Sequence, residues 1–125
     1  MHETRYPYVL TVSLDGGGVA ELVEPSTGKR CEIRSEPRVA LLYQLARQVQ
    51  ADREGGALRA LAGWCHDEDL MIGIWGREGL TGAASRYSVL LHRVRKDLEA
   101  CGFDPLCLEK RRGATRLQVE TIRLA

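Results

Sequence analysis

The sequence predicts an α+β fold with an N-terminal antiparallel sheet, three main helices and a C-terminal β-hairpin. Three strand-like stretches open the chain, at 8–13, 19–23 and 30–34. They are separated by sequences typical of turns, Asp-Gly-Gly-Gly at 15–18 and Pro-Ser-Thr-Gly at 25–28. Apolar residues then recur every three or four positions, which indicates helices. Finally, apolar and polar residues alternate on both sides of Gly113, which predicts the hairpin.

The first helix is expected to begin after Ser35, a residue type favoured at helix N-caps, with Pro37 in its first turn. Its inner stripe would consist of Val39, Leu42, Tyr43, Ala46 and Val49. The pair Gly55-Gly56 is expected to break this helix. Residues 57–62 would then add one or two short helical turns before Gly63.

The second helix is expected to be capped by Asp67, with Glu68 and Asp69 in its first turn, where the helix dipole favours negative charge. Its apolar side would be formed by Leu70, Met71, Ile74 and Trp75. Trp64 and Trp75 are both expected in the core, because their large apolar area favours burial. Gly76 is expected to end the helix.

The third helix, expected over 84–101, is basic and amphipathic. Its buried stripe would contain Tyr87, Leu91, Val94, Leu98 and Cys101, and its other side carries Arg86, His92, Arg93, Arg95 and Lys96. Gly102 is a predicted left-handed cap that stops it. Two glycines, Gly79 and Gly82, predict a flexible linker in front of it.

The hairpin, expected over 107–120, carries four basic residues near its tip: Lys110, Arg111, Arg112 and Arg116. The net charge of +1 conceals an asymmetry along the chain. Residues 1–76 hold 8 Lys and Arg against 11 Asp and Glu, whereas residues 77–125 hold 10 against 6. The basic surface is therefore predicted on the third helix and the hairpin, a charge distribution suited to nucleic acid.

Length and composition predict a single domain spanning 1–125. Its parts would be the meander at 1–34, the helical region at 35–102 with an insert near 50–63, and the hairpin at 103–125. Apolar residues make up 44% of the chain and charged residues 28%, as in ordinary globular proteins. No apolar run is long enough for a membrane span, and residues 1–5 do not resemble a signal peptide. A cytoplasmic location without membrane association is expected.

Neither a metal nor another cofactor is expected. The cysteines Cys31, Cys65, Cys101 and Cys107 lack the CxxC spacing of common zinc modules and are expected as small buried apolar residues, although Cys65, His66, Cys101 and Cys107 could be written as a zinc site. The acidic run after His66 is better explained by helix capping than by metal binding. Neither a nucleophile elbow nor a phosphate-binding loop accompanies His92, so an enzyme is not expected.

Three sequence segments carry a resemblance: Ile74-Trp75-Gly76, the run from Val89 to Leu98 (Val-Leu-Leu-His-Arg-Val-Arg-Lys-Asp-Leu), and Arg112-Gly113-Ala114-Thr115-Arg116-Leu117. With the order of elements, they resemble the winged-helix effector domain of OmpR/PhoB-type bacterial transcription regulators. The resemblance implies sequence-specific binding of double-stranded DNA in transcriptional regulation. The third helix would enter the major groove, and the hairpin would act as a wing on the backbone or the minor groove.

The resemblance also implies roles for single residues. Arg93 corresponds to a base-reading arginine, with Arg86 and Val89 on the same groove-facing side. Arg95 corresponds to a position that reaches phosphate or supports the helix, and Lys96 would approach the major groove. In the wing, Arg112 corresponds to the arginine before the turn glycine, and Thr115 and Arg116 lie on the return strand. The DNA contacts expected of Arg95, Lys110, Arg111, Arg112 and Arg116 are mainly with phosphate. The small footprint of one domain favours a homodimer on repeated half-sites.

An alternative interpretation is a winged-helix interaction module that binds a protein partner instead of DNA. Val89 and Leu90, if exposed on the third helix, would form an apolar patch of the kind that binds proteins. The insert near 50–63 would supply further contacts. Basic residues at a hairpin turn could also serve only to keep the edge soluble.

Overall fold

The computed structural model describes residues 5–125, so residues 1–4, which contribute to the expected absence of a signal peptide, lie outside the described residues. Three strands come first: β1 (Val9–Ser13), β2 (Val19–Glu24) and β3 (Lys29–Ile33). They form an antiparallel meander in which Leu10 lies opposite Leu22, and Leu22 opposite Cys31. The predicted meander is confirmed, with strand ends shifted by one residue.

Helix α1 (Glu36–Glu54) follows Ser35, the predicted N-cap, and is succeeded by Gly55. The segment 57–64 contains turns but not the expected helical turns. Glycines on both sides disfavour a helix there. The segment is held to α1 by the carboxylate of Asp52, whose Oδ2 accepts a hydrogen bond from the Gly63 amide at 2.8 Å. It therefore forms a loop against the end of α1.

The short strand β4 (Cys65–His66) leads directly into α2 (Asp67–Trp75), which ends before Gly76 as predicted. The expectation that Asp67 is the N-cap is wrong by one residue. His66 has the extended backbone of the cap, and Asp67 is the first helical residue. The carboxylate of Asp67 is engaged by Thr115 and Lys110 instead of by the helix amides.

The linker between α2 and the third helix is folded where a flexible connection was expected. Residues Arg77–Leu80 form a 3₁₀ turn, and Gly82 has a φ of 72° immediately before the helix. Helix α3 (Ala83–Ala100) ends with Gly102 at φ 86°, as predicted. The amides of Gly102 and Phe103 donate to the carbonyls of Glu99 and Leu98, which satisfies two carbonyl groups at the helix end.

Strands β5 (Leu108–Arg111) and β6 (Ala114–Leu117) form the predicted hairpin, with Arg112 and Gly113 as its two-residue turn. Strand β4 pairs with β6, so a three-stranded sheet has the order β4-β6-β5. A hairpin with one buried face was predicted, yet every residue of β6 is buried. On one face of β6, Thr115 bonds to Tyr87 of α3. On the other face, Arg116 bonds to Ala60 of the 57–64 loop, so neither face is left to solvent.

Strand β7 (Thr121–Leu124) lies outside the hairpin unit in which the sequence placed it. It pairs in parallel with β1, with Leu10 opposite Ile122, and completes a four-stranded mixed sheet of order β3-β2-β1-β7. The hairpin therefore ends at Leu117, and the chain returns to the N-terminal sheet. This pairing covers an edge of β1 that would otherwise be open.

The core lies between this sheet and the helices. The sheet contributes Leu10, Val12, Ala20, Leu22, Cys31 and Ile33, and α1 and α3 contribute leucines and valines packed against them. Within residues 5–125, no helix combines the length and the apolar character needed to cross a bilayer. The molecule is thus an α+β structure with three main helices and a mixed sheet.

The close approach of the loop to α1 predicts a specific sensitivity at Gly63. A Cβ atom there would lie 2.7 Å from Cγ2 of Val49, and the residue has a φ of 97°. We expect Gly63→Ala to lower the free energy of unfolding by about 2 kcal/mol or more. Urea unfolding should be compared with Gly56→Ala, since Gly56 has a similar φ of 86° but nothing within 4 Å of its Cβ position. Equal losses in the two variants would contradict the proposed clash.

Candidate nucleic-acid interface

The outward side of α3 is uncovered. The inward side buries Tyr87, Leu91, Val94 and Leu98. The outward side exposes Ser85, Ser88, Val89, His92, Arg93 and Lys96. Within residues 5–125, Arg93 and Lys96 take part in neither an ion pair nor a hydrogen bond, so both cations are available to a ligand.

Leu90 does not belong to this outward side. It is 5% exposed and lies in the core, so the expectation that it forms an apolar surface patch with Val89 is wrong. The buried side of α3 also includes Ala83 and Leu90, while the predicted Cys101 is only partly buried. The helix packs against α1 and α2 as well as against the sheet. Of the two apolar residues proposed for the patch, only Val89 is exposed, at 48%.

Arg86 lies at one edge of the outward side. Its guanidinium carbon is 4.8 Å from the ring centroid of Trp75, and its Nη2 donates to the carbonyl of Gly79. These contacts fix the side chain beside a groove of about 400 Å³, which Arg93 also lines. Trp75 is half-buried and packs against the core without lying inside it, so its predicted core position is only partly confirmed. Its ring supports Arg86. The groove thus brings two arginines of α3 together.

The hairpin tip carries the exposed residues Arg111 and Arg112. The guanidinium carbon of Arg111 lies 4.0 Å from the ring centroid of Trp64, which orients this side chain by a cation–π contact. Trp64 is half-buried at this contact and does not lie in the core, so its predicted position is wrong. The 57–64 loop therefore supports the hairpin through an aromatic ring.

Arg95 and Lys110 connect α3, α2 and the hairpin. Nε and Nη2 of Arg95 donate to the carbonyl of Leu108, at 3.3 and 2.8 Å. Nζ of Lys110 lies 2.7 Å from Oδ2 of Asp67. Both cations already have partners within the fold. Arg95 has the supporting role that the resemblance implied as one of its two alternatives. The phosphate contact expected of Lys110 is corrected, because this side chain is paired with Asp67.

Thr115 and Arg116 are buried, which corrects the expectation that they contact DNA. Thr115 is fully buried, and Arg116 is 8% exposed. Nη1 of Arg116 donates to the carbonyl of Ala60 at 2.6 Å, and Nη2 lies 3.3 Å from the carboxylate of Glu109. The register that places Glu109 opposite Arg116 makes this pair possible. Arg116 thus holds the insert to the hairpin.

A chain of hydrogen bonds passes from α3 to α2 through the hairpin. The hydroxyl of Tyr87 donates to Oγ1 of Thr115 at 2.7 Å, and Thr115 donates to Oδ1 of Asp67 at the same distance. Lys110 completes it at the other carboxylate oxygen. Burial raises the pKa of Tyr87, more than the Thr115 hydrogen bond lowers it, so the phenol stays protonated. The chain fixes the hairpin relative to α3.

This hydrogen-bond chain was missed at the sequence level, where Asp67 was interpreted as a cap and Thr115 as a DNA contact. The alternation of side chains along the hairpin could have indicated which cations share a face. Residues opposite each other share a face, so Lys110 and Thr115 lie on one face, and Glu109, Arg111 and Arg116 on the other. The four predicted cations of the hairpin therefore divide among two faces and the turn. Within the hairpin, only the tip presents arginine side chains that are neither ion-paired nor hydrogen-bonded.

The four cysteines are free thiols, of which Cys31 and Cys107 are buried and the other two partly buried. Among residues 5–125, no three His, Cys, Asp or Glu side chains converge into a group that could hold a metal ion. Burial raises the pKa of the Cys107 thiol from 9.0 to about 12, and that of Cys65 to about 11. Burial, with a contribution from Cys101, raises the pKa of Cys31 to about 12.

These raised values predict a loss of stability in alkali. Above pH 9.0 the unfolded thiols release their protons, whereas the folded thiols keep theirs until about 11 or 12. The stabilising contribution is therefore complete below pH 9 and disappears as the pH rises through the folded values. Urea unfolding under reducing conditions should show a lower midpoint at about pH 10 than at about pH 7, and Cys65→Ser should reduce the difference. An unchanged midpoint would contradict the burial of these thiols.

The candidate surface has two parts, one exposed basic face of α3 and one exposed arginine pair at the hairpin tip. Arg95 and Tyr87 of α3 are hydrogen-bonded to the hairpin and hold it against the helix. The likeness to OmpR/PhoB-type effector domains rests on the quoted segments and the order of elements. No protein-family model, no curated protein and no solved structure matches this chain.

Proposed function

We propose that this chain is a winged-helix protein that binds double-stranded DNA in a sequence-specific manner and acts as a transcriptional regulator. The observation that carries the proposal is the uncovered outward side of α3, where Arg93 and Lys96 are free of partners among residues 5–125. An α-helix fits the major groove of B-DNA. The order of sheet, three helices and hairpin is also that implied by the resemblance.

Arg93 is the residue proposed to read bases. Its side chain is exposed beside the groove that it shares with Arg86, and a guanidinium group can donate two hydrogen bonds to guanine. Lys96 lies about one turn further along the same side, where it would meet bases or phosphate. Val89 and the hydroxyl groups of Ser85 and Ser88 complete the surface.

The hairpin is proposed to act as a short wing. Arg111 and Arg112 would contact phosphates flanking the groove, with Arg111 held in position by Trp64. The other basic residues of the hairpin have structural partners, so the phosphate contacts are fewer than the sequence suggested. Dimerisation on repeated half-sites remains part of the proposal, because one domain covers few base pairs.

The smaller set of free cations gives a quantitative expectation for salt dependence. If Lys96, Arg111 and Arg112 engage about three phosphates, the logarithm of the binding constant should fall with the logarithm of salt at a slope of about −2.7. Five phosphate contacts, by Arg95, Lys110, Arg111, Arg112 and Arg116, would have given about −4 to −5. Fluorescence anisotropy with a labelled duplex over a salt series measures this slope. Binding that does not respond to salt would contradict the mechanism.

Arg112→Ala provides the variant for this measurement. It should weaken binding to all duplexes about equally and reduce the slope by about one unit. The matched control is Arg34→Gln, since Arg34 is an exposed arginine at the end of β3 that is paired with Glu32. Loss of the same size in both variants would mean that net charge, and not the hairpin tip, sets the affinity.

A second candidate function is a protein-binding module without DNA binding. Leu58 and Leu61 favour it, because they are 70% and 67% exposed on the insert and lie close together in sequence. Random duplex DNA at low salt separates the two candidates in the same anisotropy assay. Absence of binding at micromolar protein would favour the interaction module.

A further inference from the structure

A cavity of about 860 Å³ lies away from the outward side of α3. It is bounded by Arg5 and Tyr6, the end of α1, the insert, and the end of β6 with the segment 118–120 that joins it to β7. Cavities that hold small molecules commonly measure about 300–1,000 Å³. The size and position therefore raise the question of what this cavity binds.

The cavity wall is partly apolar. Tyr6, Val49, Leu58 and Val119 contribute to it, and Leu58 is one of the two exposed leucines of the insert. An apolar side chain left in water at the rim of a cavity favours an occupant with an apolar body. The wall alone does not define the chemistry of that occupant.

The charged residues of the wall indicate which chemical group the ligand carries. Arg5, Arg53 and Arg59 line the cavity, and Glu120 is the one carboxylate among the lining residues. None of the ion pairs within residues 5–125 includes these three arginines. The cavity thus holds an excess of positive charge that neighbouring carboxylates do not compensate.

Arg53 shows this imbalance most clearly. Its Nη1 and Nη2 donate to the backbone carbonyls of Glu120 and Val119, at 3.0 and 2.6 Å. Its Nε is buried without a hydrogen-bond partner among residues 5–125. Burial, and then the charge of Arg59, lower the pKa of Arg53. An anion placed between these two side chains would offset the repulsion between their positive charges.

We propose that this cavity binds a small organic anion in which one acidic group is attached to an apolar body. The acidic group lies between Arg53 and Arg59, and the apolar body lies against Tyr6, Val49 and Leu58. The apolar wall favours this ligand over a nucleic-acid backbone, because the phosphates of a backbone carry no apolar group that could pack against the wall. The inference concerns ligand binding and does not depend on whether α3 binds DNA.

The probe for this site is octanoate, which combines a carboxylate with a simple apolar chain. Titration of the ¹⁵N-labelled full chain should give saturable shifts at the amides of 57–62 and 118–120. Acetate has the same charge without the chain, and octanol has the chain without the charge; neither should reproduce the shifts. Arg59→Gln should weaken octanoate binding by about threefold or more, whereas Arg34→Gln should leave it unchanged.

Three results would overturn the inference. Equal shifts with octanol would show a purely apolar site, and unchanged octanoate affinity in Arg59→Gln would remove the role of the arginines. Stronger shifts from an oligoglutamate peptide than from octanoate would indicate that the surface binds an acidic protein segment instead. Each result leaves the DNA-binding assay unaffected, so failure of this inference is distinguishable from failure of the proposed function.

Discussion

Arg93→Ala is expected to abolish most of the base preference of the protein while leaving its fold intact. One bidentate contact between arginine and guanine contributes about 1–3 kcal/mol of discrimination, so preference for the selected site over a single-mismatch site should fall about 5- to 150-fold. The side chain is exposed and unpaired among residues 5–125, so its truncation removes no internal contact. Competitive anisotropy measures the change, with a site selected from a randomised duplex pool.

Arg112→Ala is the control for this prediction, because it should weaken the selected and mismatched sites alike. The division of roles between helix and hairpin is contradicted if the two variants reduce specificity by the same factor. It is also contradicted if Arg93→Ala leaves the specificity ratio unchanged. Unaltered urea unfolding of both variants would establish that the binding effects arise at the interface.

Asp67→Ala is expected to destabilise the protein by about 2–3 kcal/mol. The change removes the acceptor of the fully buried Thr115 hydroxyl and the ion-pair partner of Lys110. A buried donor without a partner costs about 1–3 kcal/mol, and the partly exposed ion pair contributes less. Urea denaturation followed by circular dichroism would measure the loss.

Asp67→Asn separates the two contributions. The amide oxygen can still accept from Thr115, while the ion pair with Lys110 is lost, so most of the stability should remain. If asparagine is as destabilising as alanine, the ion pair and not the hydrogen-bond chain carries the energy. If neither variant is destabilised, the chain does not hold the hairpin to α3 and α2.

The elements predicted correctly are those determined by residues that are close together in the sequence. The turn compositions between the first strands, the glycine after each helix and the period of α3 all reflect the chemistry of neighbouring residues. The first three strands and the three main helices lie within one residue of their predicted positions, and Gly102 has the left-handed backbone expected of it. Local preference and tertiary packing agree at these positions.

Elements that depend on distant partners were missed. Strand β7 has four residues, and only its pairing with β1 at the other end of the chain makes it a strand. Strand β4 has two residues and is defined by β6. The segment 57–64 contains apolar residues that suggest a helix, but glycines and the Asp52 contact to Gly63 impose a loop. Structure that depends on such tertiary contacts is hard to predict from the neighbouring residues in the sequence.

The candidate site was predictable in outline but not in its division of roles. Clustering of charge located the basic helix face and the hairpin tip. It did not distinguish a free arginine such as Arg112 from Arg116, which is buried against Glu109 and Ala60. The reason is that a guanidinium group serves equally well as a surface charge and as a buried donor to carbonyls.

The central claim is that α3 and the hairpin tip form the surface that meets DNA. The most direct test is the change in ¹⁵N–¹H amide resonances of the full chain when a duplex is added. We predict perturbations concentrated at 85–96 and 111–113. Perturbations confined to the four-stranded sheet and the insert, or none at all at low salt, would contradict the account.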